Sequence, residues 1–153
     1  MTGMVSGDVI DWRCKGFPAG DMSVAEFVAG KPQLFDAGFS WPILALRESA
    51  IDHNVDVVAS WCADHEISLA PHGKTTMAPA LFERQLAAGA WAMTVATPWQ
   101  ARVYRAFGVR RILLANELVD VAFVTWLVRE LADPEFDFYC YVDSSAGATL
   151  ISA

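Results

Sequence analysis

Residues 67–100 read ISLAPHGKTTMAPALFERQLAAGAWAMTVATPWQ and contain two short apolar runs separated by a helical pattern. The runs Ile67–His72 and Trp91–Ala96 have the length and composition of buried β-strands. The pattern between them has Pro79 in its first turn and Gly89 at its end, which is the usual order of these residues in a helix. The stretch therefore predicts a strand, a helix and a second strand in succession.

The same alternation continues towards the C-terminus. Thr97, which is followed by a proline, predicts the N-cap of a helix that ends at Gly108. Two further apolar runs, Arg111–Ala115 and Phe136–Val142, predict strands, and Asp120 is placed to cap the helix between them. Strands and helices that alternate with short connections predict a parallel sheet with right-handed crossovers.

The pattern is less regular nearer the N-terminus. Pro42–Leu46 is predicted to be a strand, and the apolar residues within 51–62 recur at helical spacing on one face. The first forty residues contain one predicted helix, because Ser23–Glu26 has the spacing of a capping box and Gly30 follows as a stop. The whole pattern predicts an α/β fold, and it is compatible both with an open doubly wound sheet and with a closed barrel.

Composition excludes several classes of protein. Of the 153 residues 54% are hydrophobic, which is sufficient for the core of a domain. No apolar run reaches the roughly 18 residues of a membrane span, and the first eleven residues lack the pattern of a secretory signal. A formal charge of −7 with dispersed basic residues argues against a nucleic-acid-binding surface. We therefore expect a cytoplasmic protein that binds a small molecule and contacts neither nucleic acid nor a membrane.

The cysteines and histidines predict no metal centre. Cys14, Cys62 and Cys140 are widely separated, so they predict buried thiols and neither a disulfide framework nor a zinc site. His53 and His65 lie among polar neighbours and are predicted to be exposed. No metal ligand is predicted in this chain.

Lys74 follows the first strand predicted in the opening stretch. The string Gly73-Lys74-Thr75 suggests a phosphate-binding P-loop, but that motif requires a glycine five positions before Gly73, where the chain has Ser68. The alternative is a lysine that attacks a carbonyl, which needs a positioned, partly apolar setting such as the mouth of a barrel. His72 and Lys74 are predicted to point the same way, because side chains alternate along an extended segment. Without further context, a lysine after a strand is most often an exposed surface residue.

Four motifs place this lysine in a wider pattern: Pro71–Thr75, Gln85–Ala90, Thr94–Thr97 and Gly108–Glu117. In this order they resemble the alanine racemase N-terminal-domain family, the barrel-type (fold type III) pyridoxal phosphate enzymes. Within that family they resemble the branch of amino acid deaminases, D-threonine aldolases and D-serine dehydratase-like proteins. The resemblance covers about two thirds of the chain.

The resemblance implies the N-terminal part of a pyridoxal-phosphate-binding (β/α)8 TIM barrel, truncated to about four β/α units. A complete barrel has eight units and roughly 250 residues. We therefore predict an N-terminal extension over residues 1–40 and an incomplete barrel domain over residues 41–153. The rest of the barrel and a C-terminal β domain are expected to be absent, and a full-length parent protein would form a homodimer.

By the same resemblance Lys74 is the catalytic Schiff-base lysine that holds pyridoxal 5′-phosphate. The other predicted cofactor-binding residues are His72, beside the lysine, and Thr75, Thr97 and Asn116, at or beside strand ends. Thr97 also has a structural interpretation as an N-cap, and Asn116 as a residue that closes a turn. The residues that contact the cofactor phosphate and pyridine nitrogen are implied to lie on later strands.

Departures from the family pattern favour one activity. Ala70 stands where many aldolases and dehydratases have arginine, and Thr76-Met77 where many have His-Lys. These differences favour an amino acid deaminase, a lyase in D-amino acid metabolism that acts on small, D- or hydroxy amino acids. Asp143, after the last predicted strand, is either a site residue or the cap of the following helix.

Three alternatives to this function stay open. The parent protein could be an amino acid racemase or a D-threonine aldolase. The chain could also be a non-catalytic protein that carries pyridoxal phosphate for homeostasis, which a small module can do. Finally, it could be a truncated product without activity, and in each enzyme hypothesis the isolated chain is expected to be inactive.

Overall fold

The computed structural model describes residues 9–18, 20 and 22–152. The chain divides into two compact units, Met1–Glu48 and Ser49–Ala153. Among the described residues, no helix combines the length and the apolar character needed to cross a membrane.

The first unit contains the short strands β1 (Val9–Ile10) and β2 (Met22–Ser23), which pair antiparallel, and the helix α1 (Val24–Ala29). The predicted capping box is confirmed, because Glu26 N–H donates to Ser23 Oγ and the Glu26 carboxylate accepts from Ser23 N–H. The rings of Phe17, Phe27 and Phe39 pack together with centroids 5.4 to 5.9 Å apart. The cluster is only partly buried, because Phe17 is 40% exposed.

The strand predicted at Pro42–Leu46 is wrong. This segment is irregular and pairs with no strand in the described part of the chain. Leu44 is 89% exposed and Leu46 is 63% exposed. An apolar run becomes a strand only when another strand accepts its backbone hydrogen bonds, and here none does.

The second unit alternates helices and strands. Its elements, the first beginning at the boundary, are α2 (Glu48–Asp64), α3 (Pro79–Ala87), β3 (Met93–Val95), α4 (Pro98–Ala106), β4 (Arg111–Glu117), α5 (Val121–Glu130), β5 (Asp137–Tyr141) and α6 (Ser145–Ser152). The predicted caps are confirmed: Thr97 Oγ1 accepts from Gln100 N–H, and Asp120 Oδ1 accepts from Phe123 N–H. Each cap satisfies a backbone donor that has no partner within its helix.

The sheet has the order β3-β4-β5, and both pairings are parallel, as the alternation predicted. Fully buried side chains from β3, β4 and α4 form the core with those of α5 and the loops. The core cluster is Phe82, Met93, Val95, Ala101, Tyr104, Val109, Ile112, Leu114, Leu118, Phe123, Leu127 and Phe136. Helix α2 contributes less than its apolar face predicted, since Cys62 is buried but Val58 is 46% exposed.

The strand predicted at Ile67–His72 is only partly formed. Ile67 and Ser68 are exposed, and the one ladder pairing is a parallel bridge between His72 and Thr94. Pro71 has no N–H to donate, which interrupts the ladder. Residues 69–73 nevertheless lie along β3, so the described sheet consists of three strands and one bridged segment, and the barrel is not closed.

Candidate functional site

The predicted site residues follow adjacent strands at one edge of the sheet. Lys74 follows segment 69–73, Thr97 lies two residues beyond β3, and Asn116 lies at the end of β4. Because these segments run in the same direction, their carboxyl ends meet at one edge, where α/β folds assemble their binding sites. The structure therefore places Lys74, Thr97 and Asn116 at a common edge.

Lys74 begins a tight turn. Gly73 N–H donates to the Thr94 carbonyl at 3.0 Å, and Met77 N–H donates to the Gly73 carbonyl at 3.0 Å, so residues 74–76 lie in the turn. His72 and Lys74 are exposed whereas Gly73 between them is buried, which agrees with the predicted alternation. In the described part of the chain, no hydrogen bond or ion pair engages the Lys74 ammonium group. The described residues therefore leave the side chain of Lys74 exposed and without a structural contact.

Gln100 joins the Lys74 turn to the end of β3. Its Nε2 donates to the Lys74 carbonyl at 3.2 Å, and its Oε1 accepts from Ala96 N–H at 2.8 Å. Its backbone N–H donates to Thr97 Oγ1 at 3.3 Å. The carboxamide of Gln100 thus joins two neighbouring strand ends, and its backbone N–H satisfies the N-cap of α4.

Asn116 continues this connection to β4. Its Nδ2 donates to the Ala96 carbonyl at 3.4 Å, and its Oδ1 accepts from Glu117 N–H at 3.0 Å. The register of β4 against β5 shifts between Leu114 and Glu117, which leaves Asn116 in a bulge. Bulges next to active sites commonly redirect a side chain. Here the bulge frees Asn116 to bind the end of the adjacent strand.

Three other candidates are not tied into this network. His72, Thr75 and Asp143 are exposed, and no hydrogen bond in the described residues engages their side chains. The capping interpretation of Asp143 is wrong, because Ser144 caps the last helix: Gly147 N–H donates to Ser144 Oγ at 3.1 Å. A serine hydroxyl at the N-cap satisfies the same donors that a carboxylate would.

Tyr104 lies beneath the turn and is completely buried. A Cβ added to Gly73 would be 1.7 Å from its hydroxyl oxygen, so only glycine fits at position 73 while the tyrosine keeps this position. The hydroxyl has no hydrogen-bond partner among the described residues, and burial raises the pKa of Tyr104. Its ring packs against Phe82 at a centroid distance of 4.6 Å.

Other features of the second unit do not mark a site of their own. Within the described residues, no group of three or more His, Cys, Asp or Glu side chains could hold a metal ion. A groove of about 730 Å³ lies between α4 and α5, lined by Trp99, Arg102 and Trp126 among others, and it does not include Lys74. The strand-end edge is therefore distinguished by its chemistry and not by a cavity.

Comparison with known proteins gives the same assignment as the sequence motifs. No family profile matches the chain. A D-threonine aldolase from Arthrobacter sp. is 31% identical over 81 residues, which is 53% of this chain and 21% of that protein. The crystal structure of D-threonine aldolase from Filomicrobium marinum matches with a TM-score of 0.68 and 25% identity. It covers 75% of this chain and 30% of that chain.

D-threo-3-hydroxyaspartate dehydratase from Delftia sp. HT23 matches with a TM-score of 0.65 and 25% identity, over 74% of this chain and 30% of that chain. The relatives are pyridoxal-phosphate-dependent lyases. The predicted resemblance is therefore confirmed at the level of the enzyme group. The match spans between 21% and 30% of the length of these lyases and covers part of their fold.

Two residues of the edge were not predicted as site residues. Both lie within the helix that was predicted to begin after Thr97 and to end at Gly108. The two are four residues apart, so they lie on the same face of α4. That spacing indicates that both side chains lie on one side of α4, but their contacts with the Lys74 turn depend on how the helix is docked.

Proposed function

We propose that this chain provides the cofactor-binding lysine of a pyridoxal-phosphate-dependent amino acid deaminase, a lyase that acts on small, D- or hydroxy amino acids. The observation that carries the proposal is the position of Lys74. Within the described residues its amine has no partner, and it lies at the carboxyl edge of a parallel sheet that matches part of the fold of lyases that use this cofactor. The departures at Ala70 and Thr76-Met77 favour deamination over the aldolase and dehydratase activities of the relatives.

The residues at the edge fit the aldehyde end of the cofactor. Lys74 presents a primary amine, and Thr97 and Asn116 present a hydroxyl and a carboxamide at the adjacent strand ends. When bound, pyridoxal phosphate supplies an aldehyde for the amine and a conjugated ring that accepts electrons from the substrate Cα. Lys74 would hold the cofactor and, once a substrate amine has replaced it, accept or return the proton at Cα.

His72 and Thr75 have supporting roles in this proposal. His72 is exposed beside Lys74, separated from it by one residue of extended backbone, so its imidazole would flank the bound aldehyde. Thr75 is the next residue of the turn, and its hydroxyl would donate a hydrogen bond to the cofactor. Thr97 and Asn116 already have hydrogen-bond partners at the strand ends, so they would also hold these strand ends in position.

We further propose that the 153-residue chain alone does not turn over substrate. The described residues leave Lys74 open to water, whereas catalysis at Cα is helped by a closed site in which electrostatic interactions are strong. The matched region is about 30% of the length of the solved relatives, so the rest of their chains has no counterpart in the match. Substantial ammonia release from D-serine by the purified chain would contradict this part of the proposal.

Covalent trapping tests the role of Lys74 directly. The chain has three lysines, Lys15, Lys31 and Lys74. After incubation with pyridoxal phosphate and reduction with borohydride, peptide mass spectrometry should find the pyridoxyl group on Lys74 at cofactor concentrations that leave the other two unmodified. Lys74→Ala should lose this label, whereas the control variants Lys15→Ala and Lys31→Ala should keep it. Equal labelling of all three lysines would contradict the proposal.

An amino acid panel then separates an enzyme from a carrier. Addition of small D- and hydroxy amino acids to the cofactor-loaded protein should change its absorption spectrum only if the amino acid reaches the cofactor. A stable label on Lys74 with no response to any amino acid would favour the carrier hypothesis.

A further inference from the structure

The backbone immediately before Lys74 rests on the side chain of Tyr104. A Cβ at position 73 would lie 1.7 Å from the tyrosine hydroxyl oxygen, 2.7 Å from Cζ and 3.2 Å from Cε1. Gly73 and Tyr104 are both buried, so neither can move aside into solvent. The glycine and the tyrosine are therefore matched in size.

The hydroxyl group of Tyr104 is not explained by stability. It has no hydrogen-bond partner in the part of the chain that the structure describes, and phenylalanine would give the same ring packing against Phe82. A buried polar group without a partner destabilises a fold, and such groups in native structures usually serve another purpose. The residue that the hydroxyl contacts is Gly73, so its role concerns that position.

We propose that Tyr104 is a positioning residue for Lys74. Its hydroxyl packs against the Cα of Gly73. This contact fixes the position of the backbone that carries the Lys74 side chain. What Lys74 does once positioned rests on the function proposed above. The positioning itself rests on the contact between Gly73 and Tyr104.

The hydrogen bonds around Gly73 explain why the hydroxyl of Tyr104 affects the position of the backbone. The Gly73 N–H is held by Thr94 and the Gly73 carbonyl by Met77, so the backbone is already fixed along the strand and along the turn. Tyr104 prevents Gly73 from moving in the one remaining direction, towards the buried ring of the tyrosine. Gln100, one helical turn earlier on the same face of α4, holds the Lys74 carbonyl. Helix α4 thus contacts the lysine turn through two residues one helical turn apart.

Four variants test the size match. Tyr104→Phe removes only the hydroxyl, and Gly73→Ala introduces the clash. In Gly73→Ala with Tyr104→Phe the Cζ contact of 2.7 Å persists, so relief should be partial. In Gly73→Ala with Tyr104→Leu the shorter side chain leaves room for the new methyl group. Tyr139→Phe is the matched control, because that tyrosine is 42% exposed on β5.

Two readouts report on Lys74 and one on the fold. The first is the rate of reductive methylation of Lys74 relative to Lys15 and Lys31 in the same molecule. The second is the apparent dissociation constant of pyridoxal phosphate at Lys74, measured by trapping between pH 6 and pH 9. The third is the urea midpoint of unfolding.

We expect Tyr104→Phe to unfold at the same or a higher urea concentration, because an unsatisfied hydroxyl is removed. Its cofactor affinity at Lys74 should nevertheless fall by about three- to tenfold, since displacements below 1 Å already weaken a positioned group. The methylation ratio should shift in the same variant. Gly73→Ala should weaken attachment more, and the variant with leucine at position 104 should recover most of the loss.

Unchanged affinity and unchanged methylation ratio in Tyr104→Phe would overturn the proposal. So would a Gly73→Ala variant that behaves as the unmodified protein, or no recovery with leucine. If the unmodified protein attaches no cofactor at Lys74 while the methylation ratio shifts in Tyr104→Phe, the proposed function fails and the positioning role stands. The two failures are therefore distinguishable.

Discussion

Replacing Gln100 by glutamate tests the connection between the Lys74 turn and β3. The substitution keeps the shape of the side chain and the acceptor for Ala96 N–H, but it replaces the donor to the Lys74 carbonyl with a carboxylate oxygen. The hydrogen bond at 3.2 Å is thereby exchanged for a repulsive contact between two oxygens. No other contact of the helix needs to change.

The expected loss follows from the partners. A hydrogen bond of this kind contributes about 1 kcal/mol, and a carbonyl left without a partner costs about 1–3 kcal/mol when water cannot reach it. Gln100 is only partly buried, so water can replace some of the lost bond. We therefore expect the free energy of unfolding of the second unit to fall by about 1–2 kcal/mol at pH 7. With a urea m-value of about 2 kcal/mol/M, the midpoint should fall by roughly 0.5–1 M.

The pH dependence gives a second check on the same variant. The charged carboxylate would be disfavoured by the Lys74 carbonyl oxygen and favoured by the Ala96 N–H that it still accepts. We predict that the contact with the carbonyl oxygen has the larger effect, so the pKa of the introduced carboxyl should be raised in the folded state. The folded state then binds the proton more strongly than the unfolded state, and the destabilisation shrinks as the pH falls through that pKa. Once protonated, the group can donate to the Lys74 carbonyl, as the amide does.

Urea unfolding followed by circular dichroism at pH 7 and pH 4 measures both effects. Gln85→Glu is the control, because it makes the same charge change on α3 and no described hydrogen bond involves that side chain. A difference of less than about 0.5 kcal/mol between the two variants at pH 7 would refute the reasoning, since surface substitutions commonly stay within that range. So would a difference that does not shrink at pH 4.

Three further substitutions have defined outcomes. Asp120→Ala should lower the free energy of unfolding by about 1 kcal/mol, because the Phe123 N–H loses its acceptor, and Asp120→Asn should recover most of it in thermal melts. Glu66 has a left-handed backbone with φ 54°, so Glu66→Gly should raise stability by about 0.5–1 kcal/mol, and a lower melting temperature would contradict this. The Ser23 hydroxyl and N–H hold the pKa of Glu26 below its usual range, so the stability that this cap contributes is lost as the pH falls through the lowered pKa. Ser23→Ala should raise that pKa in a carbon-detected NMR titration, and an unchanged titration would show that the cap does not form.

Local signals in the sequence predicted the features that depend on local contacts. The caps at Thr97, Asp120 and Ser23 each involve a backbone N–H three residues away, so the sequence contains both partners. The strand predictions were weaker, because a strand exists only with a partner. Pro42–Leu46 has the composition of a strand but remains unpaired in the described structure. Ile67–His72 shrinks to a bridge because Pro71 cannot donate.

In the candidate site, too, the sequence predicted the local features and not those that depend on tertiary packing. The place of Lys74 after an extended segment could be predicted, since it depends on the short apolar run before it. The bond from Gln100 to the Lys74 carbonyl could not, because it joins residues 26 positions apart and depends on how α4 is docked. Tyr104 falls within the helix predicted between Thr97 and Gly108, but the fit of its hydroxyl against Gly73 is a property of tertiary packing.

Lys74 is attached to the segment with the fewest sheet contacts. Residues 69–73 pair with β3 alone in the described part of the chain, through bonds that include Thr94 Oγ1 to the Ala70 carbonyl at 2.6 Å. For a ligand that binds only when this segment is docked, the apparent dissociation constant equals the intrinsic one divided by the docked fraction. When the undocked state is the more populated one, each loss of 1.4 kcal/mol in the free energy of docking weakens binding about tenfold. In the proposed function, the affinity of Lys74 for the cofactor would be coupled to the local folding equilibrium of residues 69–73, so substitutions that do not contact the ligand, such as Thr94→Val, would change it.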